Sequence, residues 1–282
     1  MKILVFGRSG QVARELQRQG EVIALDRAEA DLADPPACAG AIAAHAPDLV
    51  INAAAWTAVD SAETHEAEAT VINGAAPGAM AQSCARQSIP FLHISSDYVF
   101  DGAGQGAFAP DHPTAPLGAY GRSKLAGEVA VRAARGQAAI LRTSWVFSAH
   151  GANFVRTMLR LSQTRDTLSI VADQVGGPTP AADIATALLA MGRAMAAGQP
   201  GGSYHFSGAP DVSWADFARE IFARAGRSTQ VSDIPTRDYP TPAARPLNSR
   251  LDCASLAADF AIIRPDWRAG LGAVLEELGE TP

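Results

Sequence analysis

The stretch Lys2-Ile3-Leu4-Val5-Phe6-Gly7-Arg8-Ser9-Gly10-Gln11-Val12-Ala13 decides the fold. Lys2 to Phe6 is a short apolar run that reads as a buried first strand. It stops at Gly7, and Gln11 to Gln19 then takes a helical pattern, with Val12 and Leu16 on one face. A strand that runs through a glycine turn into a helix is the context a dinucleotide-binding fingerprint requires. The spacing here is GxxGxxA, and each small residue has a task. Gly7 permits the tight turn, Gly10 lets a pyrophosphate come close, and Ala13 keeps the helix near the sheet. The free amides of the helix N-terminus favour anionic phosphates.

Working outward, Val22 to Leu25 reads as a second strand ending at Asp26, and Leu49 to Ala53 as a third. Ile89 to Ser95 contains a fourth, and Ala138 to Arg142 is a fifth. Alanine-rich helical segments separate them, notably over about 66–88 and 119–135. Strands alternating with long helices indicate parallel βαβ units, hence a Rossmann-type, doubly wound, mostly parallel α/β sheet. Beyond about 145 the alternation loosens. Helices are expected over Asn153–Gln163, Ala181–Met195, Trp214–Ala225, near Ser255–Phe260 and over Trp267–Leu278, with strands at Leu168–Val171 and Tyr204–Ser207. The expected division is a nucleotide-binding domain over 1–145 and a smaller substrate-binding region over 146–282. No clean linker separates them, so their elements are expected to interleave.

Composition narrows the function. The 282 residues carry a formal charge of -6 without a basic block, which argues against nucleic-acid binding. No apolar run reaches the length of a membrane span. The three cysteines, Cys38, Cys84 and Cys253, are odd in number and form no CxxC, which suits a reducing compartment. M-K-I-L-V-F-G leads directly into the first strand, so no signal peptide is expected, and the expected location is the cytoplasm.

Asp26 stands where an acid accepts from an adenosine ribose hydroxyl, which favours NADH over NADPH. Arg8 and Arg27 could each receive a 2′-phosphate, so both cofactors remain open. Asp31 and Leu32 are candidates for the adenine side, and the small residues of Asn52-Ala53-Ala54-Ala55 let backbone pass close to a cofactor. Ser96 ends the fourth strand, where ligands collect in an open α/β sheet. Tyr120 and Lys124 lie one helical turn apart in P-L-G-A-Y-G-R-S-K. A phenol there can protonate a carbonyl oxygen held by Ser96, and an adjacent ammonium is expected to lower the phenol's pKa. Asp97 either accepts from substrate hydroxyls or orders its loop. His93 reads as structural, and His65, His112 and His150 have no ligand-like spacing, so no metal site is expected.

Together F-G-R-S-G-Q-V, N-A-A-A-W-T-A-V-D-S-A-E, S-S-D-Y-V-F, P-L-G-A-Y-G-R-S-K-L-A-G-E, R-T-S-W-V-F, N-F-V-R-T-M-L-R-L, D-Q-V-G-G-P-T and P-T-P-A-A-R-P-L-N-S-R-L closely resemble the dTDP-4-dehydrorhamnose reductases of the extended short-chain dehydrogenase/reductase superfamily. The resemblance covers nearly the whole chain. It implies reduction of the C4 ketone of dTDP-4-dehydro-L-rhamnose to dTDP-L-rhamnose by NADH or NADPH. It assigns catalysis to Ser96, Tyr120 and Lys124. It assigns cofactor contacts to Gly10, Gln11, Val12, Asp26, Asp31, Leu32, Ala55, Trp56 and Thr57 beside Gly7 and the Tyr–Lys pair. It places Trp145 near the sugar, and Val59 and Asp60 at the mouth between cofactor and sugar. Arg245, Asn248 and Arg250 lie in the segment whose arginines suit a pyrophosphate. Some members form Mg²⁺-linked homodimers through acidic side chains. Glu15 matches one such position, but P-T-P-A-A-D-I-A does not reproduce the later ones, so a Mg²⁺ bridge is not expected. Two alternatives remain open: a related nucleotide-sugar epimerase or dehydratase, and a non-catalytic NADP-binding regulatory subunit.

Overall fold

The computed structural model describes residues 1–281. The first half runs β1 (Ile3–Phe6), α1 (Gln11–Gln19), β2 (Val22–Leu25), α2 (Pro35–His45), β3 (Leu49–Asn52), α3 (Val59–Ala62), α4 (Glu66–Thr70), α5 (Ala76–Gln87), β4 (Phe91–Ser96), α6 (Ala119–Ala133) and β5 (Ala138–Thr143). A π-helical turn, Val71–Ala75, joins α4 to α5. The second half runs β6 (Val146–Phe147), α7 (Phe154–Ser162), β7 (Thr167–Val171), β8 (Val175–Gly176), β9 (Thr179–Pro180), α8 (Ala181–Ala196), β10 (Gly202–His205), β11 (Val212–Ser213), α9 (Trp214–Arg224), β12 (Gln230–Ile234), β13 (Asn248–Ser249), α10 (Ala254–Phe260) and α11 (Trp267–Leu278).

Six strands form a parallel sheet in the order β10-β5-β4-β3-β1-β2. Side-chain alternation explains why both faces are covered. Along β1, Ile3 and Val5 join one apolar layer with Leu16 of α1 and Leu188 of α8. Leu4 and Phe6 join the other, with Ile42 of α2 and Met80 of α5. β3 repeats this split, with Leu49 and Ile51 on the first face and Val50 on the second. A strand buried on both faces is a continuous apolar run, as Ile3 to Phe6 is.

The strand order reverses beside β1, whose neighbours are β2 and β3, and ligands of such sheets bind at that point. The second half contributes β10 to the sheet edge and α8 to the layer over α1. Its remaining elements build a separate apolar cluster from Phe147, Val155, Phe217, Phe222, Trp267 and Leu271. Parallel pairing of β7 with β12 extends this unit. Gln230–Ile234 had no strand signature because none of its residues is fully buried. Two-residue strands such as β8 and β13 are too short to show any period.

Candidate active site

The nucleotide end is built on β1 and α1. Gly7 has φ +106°, and a Cβ there would lie 3.3 Å from the Ala53 backbone, so both conformation and space demand glycine. Gly10 caps α1 without a side-chain hydrogen bond, which leaves the helix N-terminal amides for a ligand. A Cβ at Gly10 would meet only the Ala53 carbonyl at 3.9 Å, so the approach is open. These features fit a dinucleotide pyrophosphate. Val12 is core, and the Gln11 side chain faces the second half, where its Oε1 accepts from Ser148 at 2.8 Å and Asn153 at 3.1 Å.

At the end of β2, Arg8 donates to Asp26 at 2.6 Å, to the Ala24 carbonyl and to Glu29. Asp26 also accepts from the amides of Ala28 and Glu29. Both partners remain half-exposed, so the acid and the arginine form one shared charged surface. Asp31 is engaged by the Ala33 amide and by Arg27, which together hold its carboxyl below the usual carboxylate range. Leu32 is buried in the second apolar layer.

After β3, Ala55 and Thr57 are exposed, with Trp56 between them partly buried. Asn73 fixes this loop: its side chain accepts from the Trp56 amide at 2.8 Å and donates to the Trp56 carbonyl at 3.0 Å. It also donates to Ser123 Oγ at 2.9 Å, and Ser123 donates to the Tyr120 carbonyl at 2.7 Å. The loop after β3 and the helix α6 are thereby joined through one buried asparagine. Asn73 escaped the sequence reading; its only signal, a polar residue inside an alanine-rich helix, says nothing about its partners.

Ser96 and Asp97 are buried at the end of β4. Ser96 Oγ donates to Asp97 Oδ1 at 2.9 Å and accepts from the Tyr98 amide at 3.2 Å. The hydroxyl expected to hold a substrate carbonyl is thus turned towards the neighbouring carboxyl. Asp97 Oδ2 has no partner. Burial raises the Asp97 pKa to about 6, against the opposing pull of the nearby Ser249 and Ser96 hydroxyls. Tyr120 lies edge-on to Tyr98, with the Ser96 hydroxyl nearby.

The expectation that Lys124 lowers the Tyr120 pKa is not met. Burial pushes the Tyr120 hydroxyl up to about 12, and the nearby Ser96 hydroxyl opposes that only in part. Lys124, 2% exposed, donates instead to the Ile94 carbonyl at 2.7 Å. Burial lowers the Lys124 pKa to about 8, opposed by Glu128. One turn further along α6, Glu128 receives two bonds from Arg142 at 2.7 and 2.8 Å and one from Ser95 at 2.7 Å. Burial acts to raise the Glu128 pKa, but Arg142 wins and keeps the carboxylate below its ordinary range. His93 is fully buried against Asn52, and burial holds it well below its ordinary pKa, in keeping with a structural role.

From the second half, Trp145 and Ser249 close on the same centre. A Cβ on Gly176 would lie 2.9 Å from Ser249 Cβ and 3.0 Å from Trp145 Cε2. Arg245 donates to Asp60 at 2.8 Å, which pins the 240s segment to the mouth beside Val59. Asn248 is occupied within the chain: it donates to the Gly106 carbonyl at 2.7 Å and accepts from Arg250 at 3.1 Å. It shapes the segment that presents Arg250. Away from this centre, His150 stands 3.4 Å from Glu15 and 3.6 Å from Glu277, so the spacing absent along the chain exists in space. Arg18 donates to both acids there.

A phenol and an ammonium one helical turn apart, set before a dinucleotide crevice, make the chain an oxidoreductase of the short-chain dehydrogenase/reductase class. A family model described as RmlD substrate binding domain matches residues 1–280. The chain is 45% identical over 295 residues to the dTDP-4-dehydrorhamnose reductase of Burkholderia thailandensis, covering 99% of each. It is 43% identical to that of Sinorhizobium fredii, covering 95% of this chain and 94% of that one. The chain belongs to the dTDP-4-dehydrorhamnose reductase family. Among solved structures it is similar to that reductase from Clostridium acetobutylicum, with a TM-score of 0.93, 35% identity and coverage of 99% and 100%. The Bacillus anthracis reductase, solved in complex with NADP, matches with a TM-score of 0.91, 32% identity and coverage of 98% and 100%.

Proposed function

We propose that this chain reduces the C4 ketone of dTDP-4-dehydro-L-rhamnose to dTDP-L-rhamnose, with NADH or NADPH as the reductant. The observation that carries the reading is the match to named reductases from end to end, in a chain with Ser96 ending β4 and Tyr120 and Lys124 one turn apart on α6. Bound nicotinamide supplies the hydride. Gly7, Gly10 and the uncapped α1 N-terminus hold the pyrophosphate, while Asp26 with Arg8 meets the adenosine ribose. Asp31, Leu32, Ala55, Trp56 and Thr57 border the rest of that path.

Tyr120 gives its proton to O4 as the carbonyl carbon becomes a secondary alcohol carbon. A phenol raised to about 12 is fully protonated at neutral pH and therefore loaded as a donor. Lys124, anchored on the Ile94 carbonyl, would hold the cofactor ribose. Ser96 aligns the tyrosine hydroxyl and the ketone, and Asp97 orients Ser96. Trp145 borders the sugar, and Arg245 and Arg250 meet the pyrophosphate of the dTDP group. Binding energy far from C4 is thereby used to orient the reacting ketone.

Among the described residues no helix is long and apolar enough to cross a membrane. A cytoplasmic location is supported by three cysteines that are all free and buried. A homodimer in which Mg²⁺ bridges subunits is not part of the proposal.

The test is nicotinamide oxidation by the purified chain with dTDP-4-dehydro-L-rhamnose, with Y120F beside it. Turnover is expected to consume one nicotinamide per dTDP-L-rhamnose formed, and Y120F to be at least about 100-fold slower in kcat. Absence of wild-type turnover with authentic substrate sinks the proposal. Cofactor retained and returned without net oxidation would point to an epimerase or dehydratase.

A further inference from the structure

Trp145 carries a backbone conformation that its side chain does not favour. Its φ is +49°, in the left-handed region where bulky residues are outliers. Such a conformation persists only where surrounding contacts hold it. The backbone contacts lie on the C-terminal side: the Trp145 carbonyl accepts from the Thr179 amide at 3.1 Å, and β6 pairs with β9 from the next residue on. The indole is held separately. It stacks on Trp214, with ring centroids 3.5 Å apart and planes inclined by 11°. Its edge rests over Gly176, where a Cβ would intrude to 3.0 Å.

Trp214 is itself held firmly. It is the first residue of α9, behind a Ser213 cap that accepts from the Asp216 amide at 3.0 Å. Phe154 of α7 packs against it at 4.5 Å between ring centroids. Both tryptophans keep partial exposure, so the stack stands at a surface and is not sealed in the core. Trp214 uses one indole face, and Trp145 keeps partial exposure. The Trp145 edge meets Gly176 beside Ser249, the residue whose hydroxyl lies near Asp97.

We propose that Trp214 is a positioning residue for the sugar site: by stacking on Trp145 it fixes the indole wall against which the deoxy-sugar ring is oriented. This rests on the reading that Trp145 borders the sugar. An apolar indole face suits the C–H face of a 6-deoxyhexose, and a wall locked in place contributes orientation that a freely rotating one does not. Trp214 acts through Trp145 and needs no contact with substrate.

The experiment compares W214L, W214F, W145A and the W145A/W214L double variant in steady-state kinetics, with NADH affinity measured separately. W214L is expected to raise KM for dTDP-4-dehydro-L-rhamnose about tenfold, to change kcat less than about threefold and to leave NADH affinity unchanged. W214F is expected to restore most of the loss. In the W145A background the W214L effect is expected to vanish, because a residue acting through another has nothing left to act on. An unchanged KM in W214L, or an equal penalty with and without Trp145, overturns the proposal. A normal KM in W145A instead overturns the reading that the sugar meets Trp145. A second measurement needs no variant. The stacked indoles should give an exciton couplet in circular dichroism that dTDP-L-rhamnose perturbs and dTDP alone does not, and a couplet indifferent to the sugar also overturns the proposal.

Discussion

Lys124 and Arg245 show how differently the two halves hold their charged groups. Lys124 sits on a four-turn helix, is 2% exposed and gives its ammonium to a backbone carbonyl of the central sheet. Arg245 lies in irregular chain and is steadied by Asp60 from the other half. In the first half regular elements and a buried core fix the proposed catalytic groups. In the second, side-chain bonds between segments do that work, and these bonds stand partly in water. Chemistry is therefore expected to depend on the first half, and recognition of the nucleotide sugar on contacts that are individually weaker.

The largest expected effect lies in the first half. K124M should lower kcat by about 10²–10⁴. The pH profile adds a sign. Burial places the Lys124 pKa near 8, so the ammonium is present below that value and lost above it. Wild-type kcat/KM should fall as pH rises through about 8, and this limb should be absent from K124M. A limb that survives in K124M assigns it to another group.

Next comes the buried Glu128–Arg142 pair, which joins α6 to β5 behind Lys124. E128A leaves an uncompensated guanidinium that is 2% exposed and should cost about 3–5 kcal/mol in urea unfolding. A loss below ~1 kcal/mol would show that the first half does not rely on this pair.

Asp97 should produce an intermediate effect of the opposite sense. Its folded pKa is raised from 3.8 to about 6, so it contributes stability below about pH 4 that is lost as pH rises through about 6. D97N removes that ionisation and keeps an oxygen for Ser96. It should be more stable than wild type at pH 7 by ~1–3 kcal/mol, with the gain gone at pH 4, and be slower in turnover. Melting curves at the two pH values check the sign, and equal shifts at both would exclude ionisation as the cause.

The smallest effect belongs to the second half. R245A breaks a partly exposed ion pair and should cost no more than about 1 kcal/mol of stability. Its KM for the nucleotide sugar should still rise about tenfold while NADH affinity holds. Equal loss of both affinities would mean that the 240s segment serves the cofactor as well.

Sequence reading was sharpest where local period and burial coincide. α1, β2 and α11 begin and end where the pattern placed them, because each alternates or winds against a continuous apolar layer. It was weakest where burial is partial or an element is two residues long, as in β12 and β13. The Tyr–Lys pair and the glycine turn were legible as motifs too, since their spacing carries chemistry. Their protonation was not. Lys124 beside Tyr120 in sequence suggested a lowered phenol pKa, whereas burial of the hydroxyl raises it.

From residue order came the parallel α/β platform, the glycine turn, and a serine at a strand end with a tyrosine and a lysine one turn apart on a helix. These follow from short-range rules: alternation on strands, helical spacing, and the freedom of glycine at positive φ. Tertiary structure decided the rest. It brought Asn73 to the Trp56 backbone, Arg8 to Asp26, Arg245 to Asp60, Trp214 to Trp145 and His150 to Glu15. Each joins segments whose neighbours along the chain say nothing of the meeting. Desolvation likewise depends on everything packed around a group, so the charges on Asp97, Tyr120 and Lys124 belong to the folded molecule.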